Sequence, residues 1–480
     1  MANTSKITIL ALVFCIFYMT NTFANLQTAN QEPNKPAYLK PISPDELKED
    51  LDFLFKTIEE VHPNIYAYTS KEEFAPIRDK LYTKINGPLT TAEFYRLVAP
   101  AVASLKSFHT YIAPFGYRQY VKSGGRVFPL QLQWDEREAV LVKNHSSIPL
   151  PIGGVILTIN GRNAEQLFTT FSTWIAAENK TRNPWLLGNP VFLRSRLLLE
   201  FGPVEKWTLK IKANDGTSKL YSVPSLALSE FRTDQDTVTV EVRRDYRVIP
   251  EYNAALIVFT KWLDHEGFAL FLDEVFKDIH VKKIANLMID IRENTGGSDQ
   301  CFHKLLEYLT ARPYKLYEKF CIKISDQTRD RIIDLRRELP DKFANAKNGD
   351  IITIELPAQK PTDNPFRFND NVFLLIGRRS FSASTVFASA VKYADIATLI
   401  GEETGDPTTL YADSIEFKLP HSGLQAWVPS KLLVCAGGKP DGRGVIPHSE
   451  VKQKPEDTAK GIDTVLQFTL NMIKSSEAEK

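Results

Sequence analysis

The chain has 480 residues, of which 43% are hydrophobic and 24% are charged, and its formal net charge is +1. That length is enough for two or three domains with sizeable cores, and the composition is that of an ordinary soluble protein. The near-zero net charge leaves no basic field, so we expect no nucleic-acid partner.

The first 24 residues have the pattern of a secretory signal peptide. Lys6 precedes an apolar run, Ile7–Met19, and Thr22-Phe23-Ala24 follows it, with the small residue Ala24 just before Asn25. A membrane span needs roughly 20 apolar residues, so we expect export with cleavage after Ala24 and no stable membrane insertion afterwards. A short membrane anchor is the alternative interpretation of the same run.

The cysteines favour a fold that is held by its core. Cys15 lies in the expected signal peptide, and the other three, Cys301, Cys321 and Cys435, allow at most one disulfide within the chain. No Cys-x-x-Cys pair or Cys/His cluster is present, so we expect neither a metal nor an organic cofactor. Export without a disulfide framework fits a bacterial periplasm or the cell exterior.

The segments that follow predict a linker and then a helical unit. Residues 25–44 are polar and rich in proline, which is typical of a linker. Residues 45–114 contain apolar residues at helical spacing, which predicts one helix up to the HPN sequence at 62–64 and two more at 71–84 and 90–105. This unit ends in the sequence SFHT, in which the histidine is His109.

Residues 115–225 predict a small β-rich domain with a helical insertion. The insertion covers residues 164–200, and strand-like runs lie on both sides of it at 127–133, 139–143, 154–159 and 207–211. We interpret this segment as a small peptide-binding barrel.

Residues 226–480 predict an α/β core. From about residue 250, apolar strands at 254–260, 284–291 and 372–376 are separated by helical stretches, among them 265–279 and 298–311. Continuous apolar strands between helices indicate a sheet that is covered on both faces.

The segment from 371 to 394 carries the clearest chemical signal. A strand stops just before Ser382, and a stretch with helical character follows it. A serine at a helix start has unpaired backbone N–H groups and the positive end of the helix dipole beside it, and these can stabilise an oxyanion. The alternative is structural, because Ser382 or Ser384 would also serve as an ordinary helix N-cap.

A glycine loop supplies candidate oxyanion donors. Residues 290–297, DIRENTGG, place Gly296 and Gly297 just past a buried strand, where sites gather in α/β sheets. A tight turn alone would also explain them. Of the candidate bases, Lys392 would lie roughly 15 Å from Ser382 along one helix, which is too far. His109 remains a candidate, although a lone histidine is often structural.

Three motifs in order resemble a known family of serine peptidases. Residues 290–297 match its Asp-Leu-Arg-x-Asn-x-Gly-Gly motif, Phe381–Ser384 its Phe-Ser-Ala-[Ala/Ser] motif, and residues 442–448 its Gly-x-Gly-Val-x-Pro-Asp motif. The family includes C-terminal processing (tail-specific) proteases, the tricorn protease core and interphotoreceptor retinoid-binding protein. The HPN and SFHT sequences are similar to its His-Pro-Asn and Asp-x-His-Thr segments, so the resemblance covers about 45–475.

The resemblance implies a fold and a role for each matching residue. It implies a ClpP/crotonase-like α/β core with a mixed sheet, an N-terminal helical unit and, more weakly, a PDZ-like domain in 115–225. Ser382 matches the nucleophile, and the N–H of Ala383, with that of Gly296 or Gly297, would form the oxyanion hole. Residues 401–407 lack the lysine of the tail-specific branch. The resemblance is therefore to the tricorn-like branch, in which His109 matches the base and Asp441 the third triad member.

The chain departs from the family pattern at three places. Ser107 and its neighbours replace the acidic residue before His-Thr, His448 replaces the last acid of the third motif, and Asp441 stands where glutamate is commoner. In the PDZ-like segment, the loop with Gly124, Gly125 and Phe128 would bind a peptide carboxylate on backbone N–H groups. An ordinary turn that enters a strand is the alternative for this loop.

The sequence therefore predicts an exported serine endopeptidase that acts on peptides or proteins and forms an acyl-enzyme on Ser382, with His109 as general base. A catalytically inactive family member that binds peptides or hydrophobic ligands is the alternative. A lipase or esterase is disfavoured, because no Gly-x-Ser-x-Gly elbow surrounds Ser382. The sequence leaves the oligomeric state open.

Overall fold

A computed structural model describes residues 41–113, 116–135, 138–178, 188–231, 244–329, 343 and 345–478. The expected signal peptide and all but the last four residues of the expected linker lie outside these ranges, so the structure does not test them. In the described part of the chain, no helix is both long and apolar enough to cross a membrane.

The N-terminal unit consists of three helices, as predicted: α1 (Pro44–Val61), α2 (Lys71–Lys84) and α3 (Thr91–Ala103). A serine or threonine before each helix and a glutamate in its first turn hydrogen-bond each other's backbone. Such reciprocal capping gives hydrogen-bond acceptors to backbone N–H groups that have no partner within the helix, and it fixes where each helix begins. A two-residue strand, β1 (Tyr111–Ile112), and a short helix, α4 (Tyr117–Lys122), follow.

The β-rich unit is a six-stranded antiparallel sheet with the order β2-β3-β4-β6-β7, in which β5 pairs with β4. Its strands are β2 (Leu130–Asp135), β3 (Glu138–Asn144), β4 (Val155–Ile159), β5 (Arg162–Asn163), β6 (Lys206–Lys212) and β7 (Ser218–Pro224). The predicted helical insertion contains α5 (Ala164–Ser172) and α6 (Pro190–Phe201). The sheet shares one hydrophobic core with the N-terminal helices, so the two predicted units pack as one body.

The α/β core begins after residue 243. Its elements are β8 (Arg244–Ile249), β9 (Ala254–Phe259), α7 (His265–Lys282), β10 (Asn286–Asp290), α8 (Asp299–Leu309), β11 (Tyr317–Lys323), β12 (Ile351–Glu355), β13 (Asn371–Ile376), α9 (Ala383–Tyr393), β14 (Thr398–Gly401), β15 (Thr409–Lys418), β16 (Gln425–Cys435), β17 (Ser449–Glu450), α10 (Pro455–Ala459) and α11 (Thr464–Ala478).

A six-stranded sheet forms the centre of this core, with the order β17-β14-β13-β10-β9-β8. Neighbouring strands are parallel except for β8, which pairs antiparallel with β9. One hydrophobic cluster joins the sheet to α7, α8 and α9, and another joins its opposite face to α11. Every residue of β10 is buried. The expected α/β fold, with a mixed sheet covered on both faces, is thereby confirmed.

A second, antiparallel sheet was not predicted. It has the order β1-β16-β11-β12, and β15 also pairs with β16. In it, Tyr111 of β1 lies opposite Trp427 of β16, and the two rings stack with their centroids 4.9 Å apart. This pairing holds the segment just after His109 against the α/β core.

Candidate active site

Two loops meet at the carboxyl edge of the parallel sheet. Strands β10 and β13 are parallel neighbours, so the segments that follow them begin side by side. The N–H of Phe381 donates a 3.0 Å hydrogen bond to the carbonyl of Asn294 and so links the two loops. At Gly296, with φ +98°, a Cβ would lie 2.8 Å from the Cβ of Ser382, so only glycine allows this approach.

Ser382 directly precedes α9 but does not cap it with its side chain. Its backbone has φ 54° and ψ −120°, a conformation that residues with a Cβ rarely adopt, and its hydroxyl makes no capping hydrogen bond. Ser384 is no cap either, because its buried hydroxyl accepts a 2.8 Å hydrogen bond from the indole N–H of Trp262. The N-cap alternative is therefore wrong for both serines, and the half-buried Ser382 hydroxyl has no capping role.

Two backbone N–H groups beside Ser382 are open to a ligand. Among the described residues, neither the N–H of Ala383 nor that of Gly297 has a hydrogen-bond acceptor. The N–H of Gly296 instead donates to the side-chain oxygen of Asn294 at 3.0 Å. Of the two glycines proposed as oxyanion donors, Gly297 is thus the one with an available N–H, and Gly296 provides the close approach.

Gly297 is held in place by its neighbours. It has φ +143°, and a Cβ there would lie 2.1 Å from the carbonyl oxygen of Trp262. The same carbonyl accepts a hydrogen bond from Ser298, and the N–H of Trp262 donates to Gly296. The donor is therefore fixed before any substrate arrives, as electrostatic stabilisation of an oxyanion requires.

Asp406 is a residue that the sequence analysis missed. Its buried carboxylate accepts a 2.6 Å hydrogen bond from the backbone N–H of Ser382. It belongs to the 401–407 segment, where the sequence showed only that a lysine is absent. This short hydrogen bond holds the strained backbone of Ser382 in place. The two residues are 24 positions apart, and no local pattern between them would have revealed the contact.

The structure brings His109 next to the serine segment. Its ring stacks on Phe381, the residue before Ser382, with the centroids 5.2 Å apart, and Phe108 packs on the same phenyl ring at 4.6 Å. The hydroxyl of Ser414 donates to the His109 carbonyl at 3.3 Å. No hydrogen bond joins His109 to the hydroxyl of Ser382, which has no partner among the described residues.

The position where the family has an acid, Ser107, has a structural role here. Its buried hydroxyl lies 3.0 Å from Nε2 of His62 and accepts a hydrogen bond from the hydroxyl of Thr110. Burial, with the charge of Lys323 adding to it, lowers the pKa of His62 to about 3. His62 is therefore neutral at physiological pH and belongs to the support of the His109 loop.

Two acids lie near this loop. Asp441 is exposed in its turn, and its carboxylate accepts the N–H of Arg443 at 2.9 Å. Its neighbour Gly442 lies against Glu178, because a Cβ added to Gly442 would be 3.6 Å from the carbonyl oxygen of Glu178. The Glu178 carboxylate in turn accepts the N–H of Phe108 at 2.9 Å. The role of Asp441 as third member of the triad stays a prediction. Glu178, for which the sequence gave no motif, is the acid that directly contacts the loop containing Phe108 and His109.

The predicted carboxylate-binding loop is not formed as expected. The N–H of Gly124 donates to Val121 and that of Gly125 donates to Tyr120, so both groups close the end of α4. Phe128 is buried and packs edge-to-face on Trp207 inside the β-rich unit. The two glycines therefore have no open N–H and the Phe128 ring has no open surface for a peptide carboxylate, so the ordinary-turn interpretation fits them better.

The described residues contain no group of three or more His, Cys, Asp or Glu side chains that could hold a metal. Cys301, Cys321 and Cys435 are unpaired thiols. The chemistry that the described site offers is that of a hydroxyl, an imidazole and two N–H donors.

Comparison with known proteins finds a family model that covers the Ser382 and glycine part of this site. Residues 253–451 match the model of "Peptidase family S41". No curated protein matches the sequence significantly. Among solved structures, mature CPAF has a TM-score of 0.63 at 15% identity, covering 89% of this chain and 97% of the other.

Two further structures of the same protein are also similar. A serine-to-alanine mutant of CPAF has a TM-score of 0.64 at 14% identity, covering 86% of this chain and 95% of the other. Mature CPAF complexed with lactacystin has a TM-score of 0.60 at 16% identity, covering 90% and 99%. These structures show a shared fold, and the family match covers Ser382, Ala383 and both glycines. The α/β core, residues 253–451, thus matches peptidase family S41, a family of serine-type peptidases.

Proposed function

We propose that the chain is an exported serine endopeptidase whose nucleophile is Ser382 and whose general base is His109. The Ser382 hydroxyl attacks a peptide carbonyl while the His109 imidazole takes its proton, and the N–H groups of Ala383 and Gly297 bind the oxyanion. The protonated imidazole then gives its proton to the leaving amine. Water, deprotonated by the same imidazole, hydrolyses the acyl-enzyme and releases the acid product.

One arrangement carries this proposal: a hydroxyl at a helix start beside two backbone N–H groups, none of which has a hydrogen-bond partner among the described residues. Helix-start serines ordinarily cap the helix, and this one instead adopts a costly backbone conformation that leaves its hydroxyl open. The His109 ring on Phe381 supplies a base in the same place. In an apo site the contact between nucleophile and base is often longer than a hydrogen bond and shortens when substrate binds.

Labelling with a fluorophosphonate probe tests the nucleophile and the base together. We expect the purified protein to be labelled, Ser382→Ala to show no labelling, and His109→Ala to lower the labelling rate by at least 100-fold, as loss of a general base does. The exposed His280 offers a matched control, His280→Ala, because His280 lies at the other end of α7 from the Trp262 turn that contacts Gly297. Labelling that persists in Ser382→Ala would show that the assignment is wrong.

An inactive binder remains the second candidate, favoured by one observation. No hydrogen bond joins Ser382 to His109, and Ser107 stands where the family has an acid. A folded wild type that resists the probe and cleaves no unfolded protein substrate would favour this candidate.

The third group of the triad requires its own experiment. Asp441 is proposed for it by resemblance, and Glu178 contacts the backbone beside His109. A carboxylate that orients the base is expected to add orders of magnitude to kcat. Asp441→Asn and Glu178→Gln therefore compete in one measurement: the larger loss of kcat identifies the acid, and equal small losses would mean that neither has this role.

Export and the PDZ-like role of residues 115–225 are part of the same proposal. Export is supported by the charge, apolar run and small residues of the first 24 positions, and amino-terminal sequencing of the secreted protein should begin at Asn25. The PDZ-like role is supported by the antiparallel sheet of the β-rich unit. It does not include carboxylate binding by Gly124 and Gly125, because their N–H groups are already bonded at the end of α4.

A further inference from the structure

A small cavity opens directly beside the nucleophile. It has a volume of about 20 Å³. Ser382, Ala383 and Gly297, which are the nucleophile and the two proposed oxyanion donors, form one side of it. The apolar walls come from Val386 of α9, from Leu410 and Ala412 of β15 and from Leu433 of β16, with Tyr317 beside them.

The cavity lies on the acyl side of the scissile bond. The leaving amine must receive its proton from His109, so the residue after the bond lies toward His109. Neither His109 nor Phe381, on which it stacks, lines the cavity. A carbonyl carbon held between the Ser382 hydroxyl and the two N–H groups would therefore direct the side chain of the residue before the bond, P1, into this cavity.

One polar side chain in the cavity lacks a partner. Asp299 is the first residue of α8 and is only 4% exposed. The backbone N–H groups of Asp299 and Gln300 interact with its carboxyl group, but its Oδ1 is buried without a hydrogen-bond partner among the described residues. A buried acceptor without a partner destabilises the free protein, and a ligand with a matching donor would remove that cost.

We propose, on the basis of the peptidase function above, that this cavity is the S1 pocket and that Asp299 selects a short hydroxyl-bearing P1 side chain, serine or threonine. The volume has room for about one water-sized group, such as a hydroxyl or a methyl, and not for a long side chain. The hydroxyl occupies the enclosed volume and pairs with Oδ1, while the methyl group of threonine stays at the open mouth of the cavity against its apolar lining.

The protonation of Asp299 favours a hydroxyl over a cation. Burial raises the pKa of Asp299 to about 7, and the charge of Lys431 opposes this only in part. Lys431 already pairs with Asp413 at 2.7 Å. Near neutral pH both forms of the acid are populated. A hydroxyl can donate to the carboxylate or accept from the acid, whereas an ammonium group needs the carboxylate.

Matched substrates measure this selection directly. Threonine and valine have nearly the same shape and differ by hydroxyl against methyl, so peptides that differ only in this P1 residue isolate the hydrogen bond. We expect wild type to favour threonine by about 10- to 100-fold in kcat/KM, because a site built to bind a hydroxyl rejects the analogue without it. Peptides with P1 leucine, phenylalanine or lysine should be cleaved more slowly than the threonine peptide.

Two variants at one position separate the acceptor from the charge. In Asp299→Leu the threonine-to-valine ratio should fall to about 1, and in Asp299→Asn, which keeps an acceptor oxygen, most of the ratio should remain. Gln300→Leu is the matched control at the next position of α8. The ratio does not depend on how much enzyme is folded, so a destabilised variant still gives a valid result.

Widening the pocket tests its location independently. Val386→Ala should raise cleavage after leucine relative to threonine by at least 10-fold, because the pocket wall moves back. Equal cleavage after threonine and valine by wild type, or an unchanged ratio in Asp299→Leu, would overturn the selection by Asp299. Either result with intact fluorophosphonate labelling rejects this inference alone, whereas absent labelling rejects the peptidase function and the inference with it.

Discussion

The backbone of Ser382 makes a prediction that separates strain from chemistry. With φ 54° and ψ −120° it occupies a region that glycine adopts freely and other residues avoid. Such strain costs about 1–3 kcal/mol. Replacement by glycine removes the strain but adds about 0.5–1 kcal/mol of unfolded-state entropy, so Ser382→Gly should stabilise the protein by about 1 kcal/mol.

Ser382→Ala is the matched control for this prediction. It keeps the Cβ and therefore the strain, and it removes a hydroxyl that has no hydrogen-bond partner among the described residues, so the free energy of unfolding should hardly change. Both variants should be inactive, which makes stability the only quantity that distinguishes them. Asn253→Gly is a second control, since its φ 40° and ψ 46° are an ordinary left-handed conformation that asparagine tolerates.

Thermal and urea denaturation, followed by circular dichroism, measure the effect. A gain of about 1 kcal/mol corresponds to a Tm increase of about 2–4 °C for a cooperative unit of the size of the α/β core. If Ser382→Gly unfolds at the same temperature as Ser382→Ala, or below it, the reasoning that strain is stored at the nucleophile is refuted.

Three further predictions concern the framework of the site. Arg292→Leu should destabilise the protein by about 3 kcal/mol in urea denaturation, because it leaves the carboxylates of Asp290 and Asp463, each 2.6 Å from the guanidinium, without their cation. Gly297→Ala should lower kcat by at least about 100-fold with a smaller change in KM, since the new Cβ would meet the Trp262 carbonyl and displace an oxyanion donor. The folded-state pKa of His62, about 3, is below its unfolded value, so stability should fall as pH decreases below 6.5; His62→Gln should remove about 3 kcal/mol of that loss at pH 4.

Each of these has a clear contrary outcome. An Arg292→Leu variant as stable as wild type would show that the ion pairs contribute nothing net. Full kcat in Gly297→Ala would exclude its N–H as a donor in the transition state. Parallel stability curves for wild type and His62→Gln between pH 4 and pH 7 would show that His62 does not titrate far below its ordinary range.

Local patterns in the sequence were sufficient to predict the helices, the parallel strands and the position of Ser382 at a helix start. Capping residues and apolar spacing placed α1, α2 and α3, and continuous apolar runs placed β9, β10 and β13. The loops after β10 and β13 could be expected to meet, because neighbouring parallel strands end at one edge of a sheet. The roles proposed for Ser382 and the two glycines therefore followed from short segments of sequence together with a family resemblance.

Tertiary structure alone decided what surrounds the serine. His109 lies beside Phe381 because β1 pairs with β16, and Asp406 meets the Ser382 N–H because the loop after β14 folds back on α9. The sequence did not predict the antiparallel sheet that makes the first of these contacts, nor that helix capping occupies the N–H groups of Gly124 and Gly125. Propensity and periodicity act over a few residues, whereas these contacts depend on which distant surfaces pack together. The sequence thus determined the proposed nucleophile and its candidate donors, and the packing of separate units determined which histidine lies beside Ser382 and which acid holds its backbone.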